Sequence, residues 1–216
     1  MILEEARKAV VAYGKKLVRS GLTRGTGGNL SVYDRKRDLW AVSPSGIDYF
    51  AVEAEDVAVL DGQGRLVQGR QRPSSEWELH LEVYRRRPDA GAVVHTHSPF
   101  ATVLACLGWE IPPVHYLVGF AGRKVKVAPY ATFGTPELAR LTAEALGDDG
   151  AVLMAHHGLI ALGADLDRAF AVAEEIEFVA EIYWRAKAVG TVPLLSEEAL
   201  ADALARFADY GPRRKA

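Results

Sequence analysis

The sequence predicts one α/β domain, with a central, mixed and largely antiparallel sheet covered by helices. Three observations carry that prediction. Short apolar, β-branched runs alternate along the chain with segments whose apolar residues recur every three or four positions. Two apolar runs flank the turn sequence DGQG at 61–64, as a hairpin requires. No repeat, low-complexity tract or linker divides the 216 residues, a length that suits one domain with a sizeable core.

Each element has its own signal. Residues 2–20 read as an amphipathic helix through Leu3, Ala6, Val10, Tyr13 and Leu17, with Gly21 as the stop. GTGGNLSVY, from residue 25, is a glycine-rich loop running into a strand, and LWAVSPSG, from residue 39, is a strand closed by a turn. The hairpin covers VAVLDGQGRLVQG. PSSEWELHLEVYRRRP reads as a proline-bracketed helix opened by a capping box from Ser75 to Glu78. AGAVVHTHS is a strand, PFATVLACLG a helix and VKVAPYATFG a strand with a loop. Thr135 caps a helix whose first position is Pro136. AVLMAHHGLIALG reads as one more strand, residues 167–189 as a long amphipathic helix, and Ser196 as the cap of a last one.

Composition excludes several classes of function. With 49% apolar and 25% charged residues and a net charge of −2, the chain has no global attraction to nucleic acid or an anionic membrane. The opening MILEEARKAVVAYGKKLV is too frequently charged for a signal peptide or a membrane span. Cys106 is the only cysteine, which precludes an internal disulfide and fits a reducing compartment. Together these features predict a soluble cytoplasmic protein. Arginine outnumbers lysine and Asn29 is the only asparagine, a bias that fits a thermophile or a GC-rich genome.

The chemistry-bearing stretch is VVHTHSPF, residues 93–100. Strand side chains alternate, so His95 and His97 share a face and can hold one cation, typically zinc. Four further histidines are available: His80, His115, His156 and His157. The pair in MAHHGL is the natural source of a third ligand, and spacing alone does not say which of the two it is. Three histidine ligands leave a fourth position open, as catalysis needs. Glu76 lies at a helix start, where free N–H groups and hydroxyls of Ser74 and Ser75 suit an anion as well as a plain cap. The glycines of GTGGN and the polar turn SPSG offer further close approach of backbone N–H groups. Neither a dinucleotide fingerprint nor a Walker lysine is present.

In this order the motifs GTGGNLSV, SPSG, RPSSEWELH, RPDAGAVVHTH, IPPVHY, APYATFGT and HHGLIA, with FADYG near the end, form a recognisable set. The chain resembles the class II aldolase family, and within it the zinc-dependent fuculose-phosphate branch. The resemblance implies a three-layer α/β/α fold. It also implies one Zn2+ per subunit, held by His95, His97 and His157, with Glu76 on the metal's open side until substrate arrives. Glu76 then serves as general acid/base. Gly28, Asn29, Ser45, Gly46, Ser74 and Ser75 match the family's phosphate site. Tyr116 matches a residue that handles a second proton from a neighbouring subunit, and Tyr210 one that closes the site. Both tyrosines are equally readable as interfacial or buried. His156 and His115 are left as supporting residues and Phe133 as a packing one.

By the same resemblance the reaction is reversible cleavage of a ketose 1-phosphate, L-fuculose 1-phosphate in that branch. Its products are dihydroxyacetone phosphate and L-lactaldehyde, reached through a zinc-stabilised enediolate. A homotetramer with sites between subunits is implied too. The nearest alternative is an L-ribulose-5-phosphate 4-epimerase, although an aspartate replaces the glutamate in that branch. Sugar-phosphate dehydratases and decarboxylases share the site pattern. A non-catalytic, adducin-like assembly module would be expected to lack the histidines that this chain keeps.

Overall fold

The computed structural model describes residues 1–207. Eight strands form one sheet: β1 (Asn29–Asp34), β2 (Leu39–Val42), β3 (Ala58–Asp61), β4 (Leu66–Gln68), β5 (Ala92–Thr96), β6 (Lys126–Ala128), β7 (Ala151–Met154) and β8 (Gly158–Gly163). Across the sheet they run β4-β3-β2-β1-β5-β8-β7-β6. Every neighbouring pair is antiparallel except β6 and β7. The expected mixed, largely antiparallel sheet is therefore present.

Six helices cover it: α1 (Glu4–Arg19), α2 (Trp77–Arg86), α3 (Pro99–Leu107), α4 (Pro136–Leu146), α5 (Leu166–Val189) and α6 (Glu197–Phe207). The alternation of strand side chains sorts them into layers. Leu30, Val94, Leu159 and Leu153 pack against Leu17 of α1, Leu104 of α3 and Phe170 and Ile176 of α5. From the opposite face Trp40, Val93, Ile160 and Val152 pack against Leu79 and Val83 of α2 and Leu138 of α4. β5 is buried along its whole length, because it lies mid-sheet with helices on both faces. Among the described residues no helix is long and apolar enough to cross a membrane.

Local chemistry explains most boundaries. Thr135 Oγ1 accepts from the N–H of Leu138 at 3.3 Å, and Ser196 Oγ from that of Ala199 at 3.1 Å, so both expected caps form. Gly108 closes α3 in the left-handed conformation at φ 65°. The buried Arg7 guanidinium ties α1 to the β3–β4 region by donating to the carbonyls of Val57 (2.7 Å) and Glu55 (3.1 Å).

Two expectations need correction. The capping box at Ser75 and Glu78 does not form: α2 starts at Trp77 with Glu76 in the N-cap position, and no side chain caps it. The stretch 151–163 is not one strand but a hairpin, turning between Met154 and Gly158. A continuous apolar run cannot distinguish one buried strand from two. A short 3-10 helix, Tyr116–Phe120, also forms where no element was expected.

Gly28, at φ 68°, leads the glycine-rich loop into β1. A Cβ there would lie 2.6 Å from the carbonyl oxygen of His95. Gly46 has a similar φ of 70°, but a Cβ there meets nothing within 4 Å. Gly46→Ala is therefore expected to cost only the backbone term, about 1 kcal/mol. Gly28→Ala should cost measurably more in denaturant unfolding; equal losses would show that the backbone near His95 yields without penalty.

Candidate metal centre and active site

Three separate elements bring the histidines together. His95 is the penultimate residue of β5, opposite Asn29 of β1 and Ile160 of β8. His97 follows just beyond the strand. His157 arrives from the β7–β8 turn, which closes with its N–H donating to the Met154 carbonyl at 3.0 Å. The residue before it, His156, adopts the left-handed conformation at φ 57°, uncommon for a residue with a side chain. In that turn the strand rule of alternating faces no longer applies. The tertiary fold thus decides which of the paired histidines joins the cluster.

His95 meets His97 and His157 edge to face with centroids 4.8 Å away in each case, while His97 and His157 are tilted at 58° with centroids 5.2 Å apart. One ligand nitrogen from each lies within 4.8 Å of the other two. His95 Nδ1 donates to the Leu159 carbonyl at 3.0 Å, which turns Nε2 toward the cluster. His95 Nε2 and His97 Nε2 are 3.0 Å apart. Two neutral lone pairs cannot face each other at that distance, so a proton or a cation has to lie among them.

The Glu76 side chain lies over this cluster from the start of α2. Its Oε2 is 3.3 Å from His95 Nε2 and its Oε1 is 3.3 Å from His157 Nε2. Among the described residues Oε1 has no hydrogen-bond partner, although it is buried. Burial alone would raise the Glu76 carboxyl. The charge and hydrogen bond of His95, then His157 and the Asn29 amide, outweigh it and hold the group well below the usual carboxylate range. Burial opposes the charge on His95 also, but the Glu76 carboxylate raises it. His97 and His157 are pushed down to about 4, first by burial and then by His95, so they stay neutral near pH 7. Neutral imidazoles beside a carboxylate with an unpartnered oxygen are a donor set that fits one divalent cation.

The cluster opens into a cavity of about 480 Å3. All six residues of the expected phosphate site, Gly28, Asn29, Ser45, Gly46, Ser74 and Ser75, line it beside Glu76, His97 and His157. An isolated bridge between Pro44 and Pro73 joins the SPSG turn to the SSE segment. The N–H of Ser74 donates to the Ser43 carbonyl at 2.9 Å, and that of Ser45 to Arg72 at 3.1 Å. Among the described residues neither lysine nor arginine lines the cavity. Of these residues, backbone N–H groups and the N-terminus of α2 are what can attract an anion, and an added cation would do the same.

The other expected residues divide. Tyr116 does not line this cavity; it stands half-exposed on the 3-10 helix, against the rings of His115 and Phe207. Tyr210 lies outside the described residues. Phe133, expected to pack, is instead 68% exposed at the cavity lining. Thr26, Tyr130 and His156 also line the cavity and were not singled out as site residues. His80 was overlooked as well. It follows Glu76 by four positions on a helical face, a spacing that could have pointed to it.

Known proteins resemble this chain in sequence and fold. Residues 8–184 match the family described as Class II Aldolase and Adducin N-terminal domain. A 5-deoxy-D-ribulose 1-phosphate aldolase of Bacillus thuringiensis serovar kurstaki is 49% identical, over 98% of this chain and 99% of its own. An L-fuculose phosphate aldolase of Escherichia coli K12 is 42% identical, over 92% of each chain. A solved structure of an L-fuculose 1-phosphate aldolase superposes with a TM-score of 0.94 at 45% identity, over 96% of this chain and 98% of that one.

The raised His95 makes metal uptake depend on pH. At pH 6.5, its ordinary value, a raised pKa leaves His95 more than half protonated, while His97 and His157 are already neutral. Zn2+ added to metal-free protein should then displace more than half a proton per ion, falling toward none as pH rises past the His95 value. Calorimetry in buffers of different ionisation enthalpy measures this count. A count of zero at pH 6.5 would show that Glu76 does not keep His95 protonated there.

Proposed function

The chain belongs to the class II aldolase family and is a lyase acting on a phosphorylated sugar, and from this premise we propose that it cleaves ketose 1-phosphates ending in a methyl group. Dihydroxyacetone phosphate and a short aldehyde are the products. L-fuculose 1-phosphate and 5-deoxy-D-ribulose 1-phosphate, the sugars named for the relatives, share that chemistry and leave lactaldehyde and acetaldehyde respectively. The observation that carries the reading is the meeting of three ring nitrogens and a buried carboxylate at one cavity lined with glycines and serines.

In this reading His95, His97 and His157 hold one Zn2+ per subunit, and Glu76 covers its open side before substrate binds. When bound, the ion supplies Lewis acidity, drawing electrons from a neighbouring carbonyl and making the adjacent carbon more acidic. The residues of this chain do the rest. Gly28, Asn29, Ser45, Gly46, Ser74 and Ser75 hold the phosphate, and that remote binding places the reacting carbons beside Glu76. Glu76 returns a proton to the carbon freed by cleavage, and removes it in the reverse direction. Among the described residues the cavity lining has no lysine that would offer an amine to a Schiff-base route.

The proton of the substrate hydroxyl beside the breaking bond falls to Tyr116 of another copy, with Tyr210 closing the site. Support comes from the distance of Tyr116 from its own cavity and from the exposed apolar side chains Leu107, Trp109, Phe178 and Trp184. These features suit a homotetramer with shared active sites.

A screen of ketose 1-phosphates with both aldehydes quantified tests the reading. Equimolar dihydroxyacetone phosphate and aldehyde are expected; an epimer, or loss of water or carbon dioxide, would replace it with the epimerase or dehydratase alternative. Glu76→Gln is expected to keep phosphate binding yet slow deuterium exchange into dihydroxyacetone phosphate by about 100-fold or more. Undiminished exchange would remove Glu76 from the proton step.

A further inference from the structure

Behind Glu76 a file of buried polar groups runs into the protein. Asn29 Nδ2 donates to Glu76 Oε2 at 2.9 Å. Asn29 Oδ1 lies 2.5 Å from His80 Nε2. His80 Nδ1 is 2.6 Å from Ser31 Oγ, and Ser31 Oγ is 2.7 Å from the Tyr84 hydroxyl. Asn29 is 4% exposed, Ser31 and His80 0%, and Tyr84 1%. None of the four touches the cluster of ring nitrogens or belongs to the expected ligand set, and three of them come from outside the cavity lining.

The file can be polarised in two senses, and Glu76 selects one. An ionised carboxylate can only accept, so the Asn29 NH2 must face it. Asn29 then presents Oδ1 to His80, which must answer with Nε2–H. A neutral imidazole has one proton, so His80 Nδ1 accepts from Ser31, and Ser31 in turn accepts from Tyr84. Burial pushes His80 down to about 3, keeping the ring neutral as this scheme requires. In the opposite sense Asn29 Oδ1 would face the carboxylate, two acceptors in contact in a dry environment.

We propose that His80 is a positioning residue: its Nε2–H locks the Asn29 amide with the NH2 group toward Glu76 and the anion cavity. One N–H restrains the Glu76 carboxylate, and the second remains on a residue that lines the cavity. A flipped amide would instead turn its oxygen on both the carboxylate and an incoming phosphate. Ser31 and Tyr84 act one and two steps further back, by holding the His80 tautomer. The consequence for catalysis rests on the reading of Glu76 as the acid/base; the orientation of the amide does not.

Asn29 is the only asparagine, so protein labelled with 15N-asparagine gives a single side-chain NH2 pair. In the metal-loaded enzyme this pair is expected to be distinct and slow to exchange with solvent. His80→Leu should move it and speed its exchange. His80→Gln, whose Nε2 can replace the ring N–H, should retain it. For turnover, His80→Leu is expected to lower kcat about 10–100-fold, with His80→Gln restoring most of it. In an Asn29→Ala background, adding His80→Leu should change kcat by less than about twofold. Should the leucine variant fail to fold, Ser31→Ala should shift the amide pair in the same direction. An unmoved amide pair, equal losses for the leucine and glutamine variants, or full additivity with Asn29→Ala would each overturn the assignment. Because the amide signal needs no substrate, it still decides this inference if no ketose 1-phosphate is cleaved.

Discussion

One constraint organises the molecule: a buried carboxylate and a buried imidazole, Glu76 and His95, converge with two further imidazoles at the edge of an open cavity. Each of these groups alone would be costly to bury. Together they compensate, since Glu76 raises His95 and His95 holds Glu76 ionised. The residual imbalance is a pair of ring nitrogens 3.0 Å apart with room for a positive charge. A protein stabilised only for its own sake would fill such a position with apolar side chains, so the imbalance marks function.

The fold supplies rigid elements for that convergence. β5, buried along its length between β1 and β8, fixes His95. The neighbouring turn carries His157, and its strained His156 backbone is held by two strands locked in register. The start of α2 brings Glu76 from the opposite layer. Because Asn29 pairs across the sheet with His95, the glycine-rich loop ends at the ion site and not elsewhere. The histidine cluster, Glu76 and the glycine- and serine-lined cavity are therefore adjacent through sheet register.

Among the described residues the cavity has no basic side chain, so the proposed anion site would rely on other groups. Its lining offers hydroxyls, N–H groups and the N-terminal end of α2. A bound cation would add the missing positive charge at the position where chemistry occurs. On the proposed reading, phosphate binding and Lewis acidity would be coupled, since loss of the ion would remove both the electrophile and part of the attraction for substrate.

Much of this was legible in the residues. The amphipathic period of α1, the DGQG hairpin, the Thr135 and Ser196 caps and the α/β class follow from local propensity and alternation, which act over a few positions. His95 and His97 were readable as a pair for the same reason. The motif set placed Glu76 and the glycine and serine segments in one site. Three matters were not legible in the residues. The hairpin at 151–163 was invisible because apolar runs look alike whether they continue or fold back. Glu76, and not Ser75, became the N-cap of α2, where its carboxylate faces His95 and His157. His80 gained its importance only through Ser31 and Asn29, some 50 positions away. Sequence by itself determined which groups were available, since side-chain chemistry and short-range periodicity are local. Tertiary structure decided which atoms meet and in which protonation state, since burial and charge at a site are summed over neighbours from the whole chain.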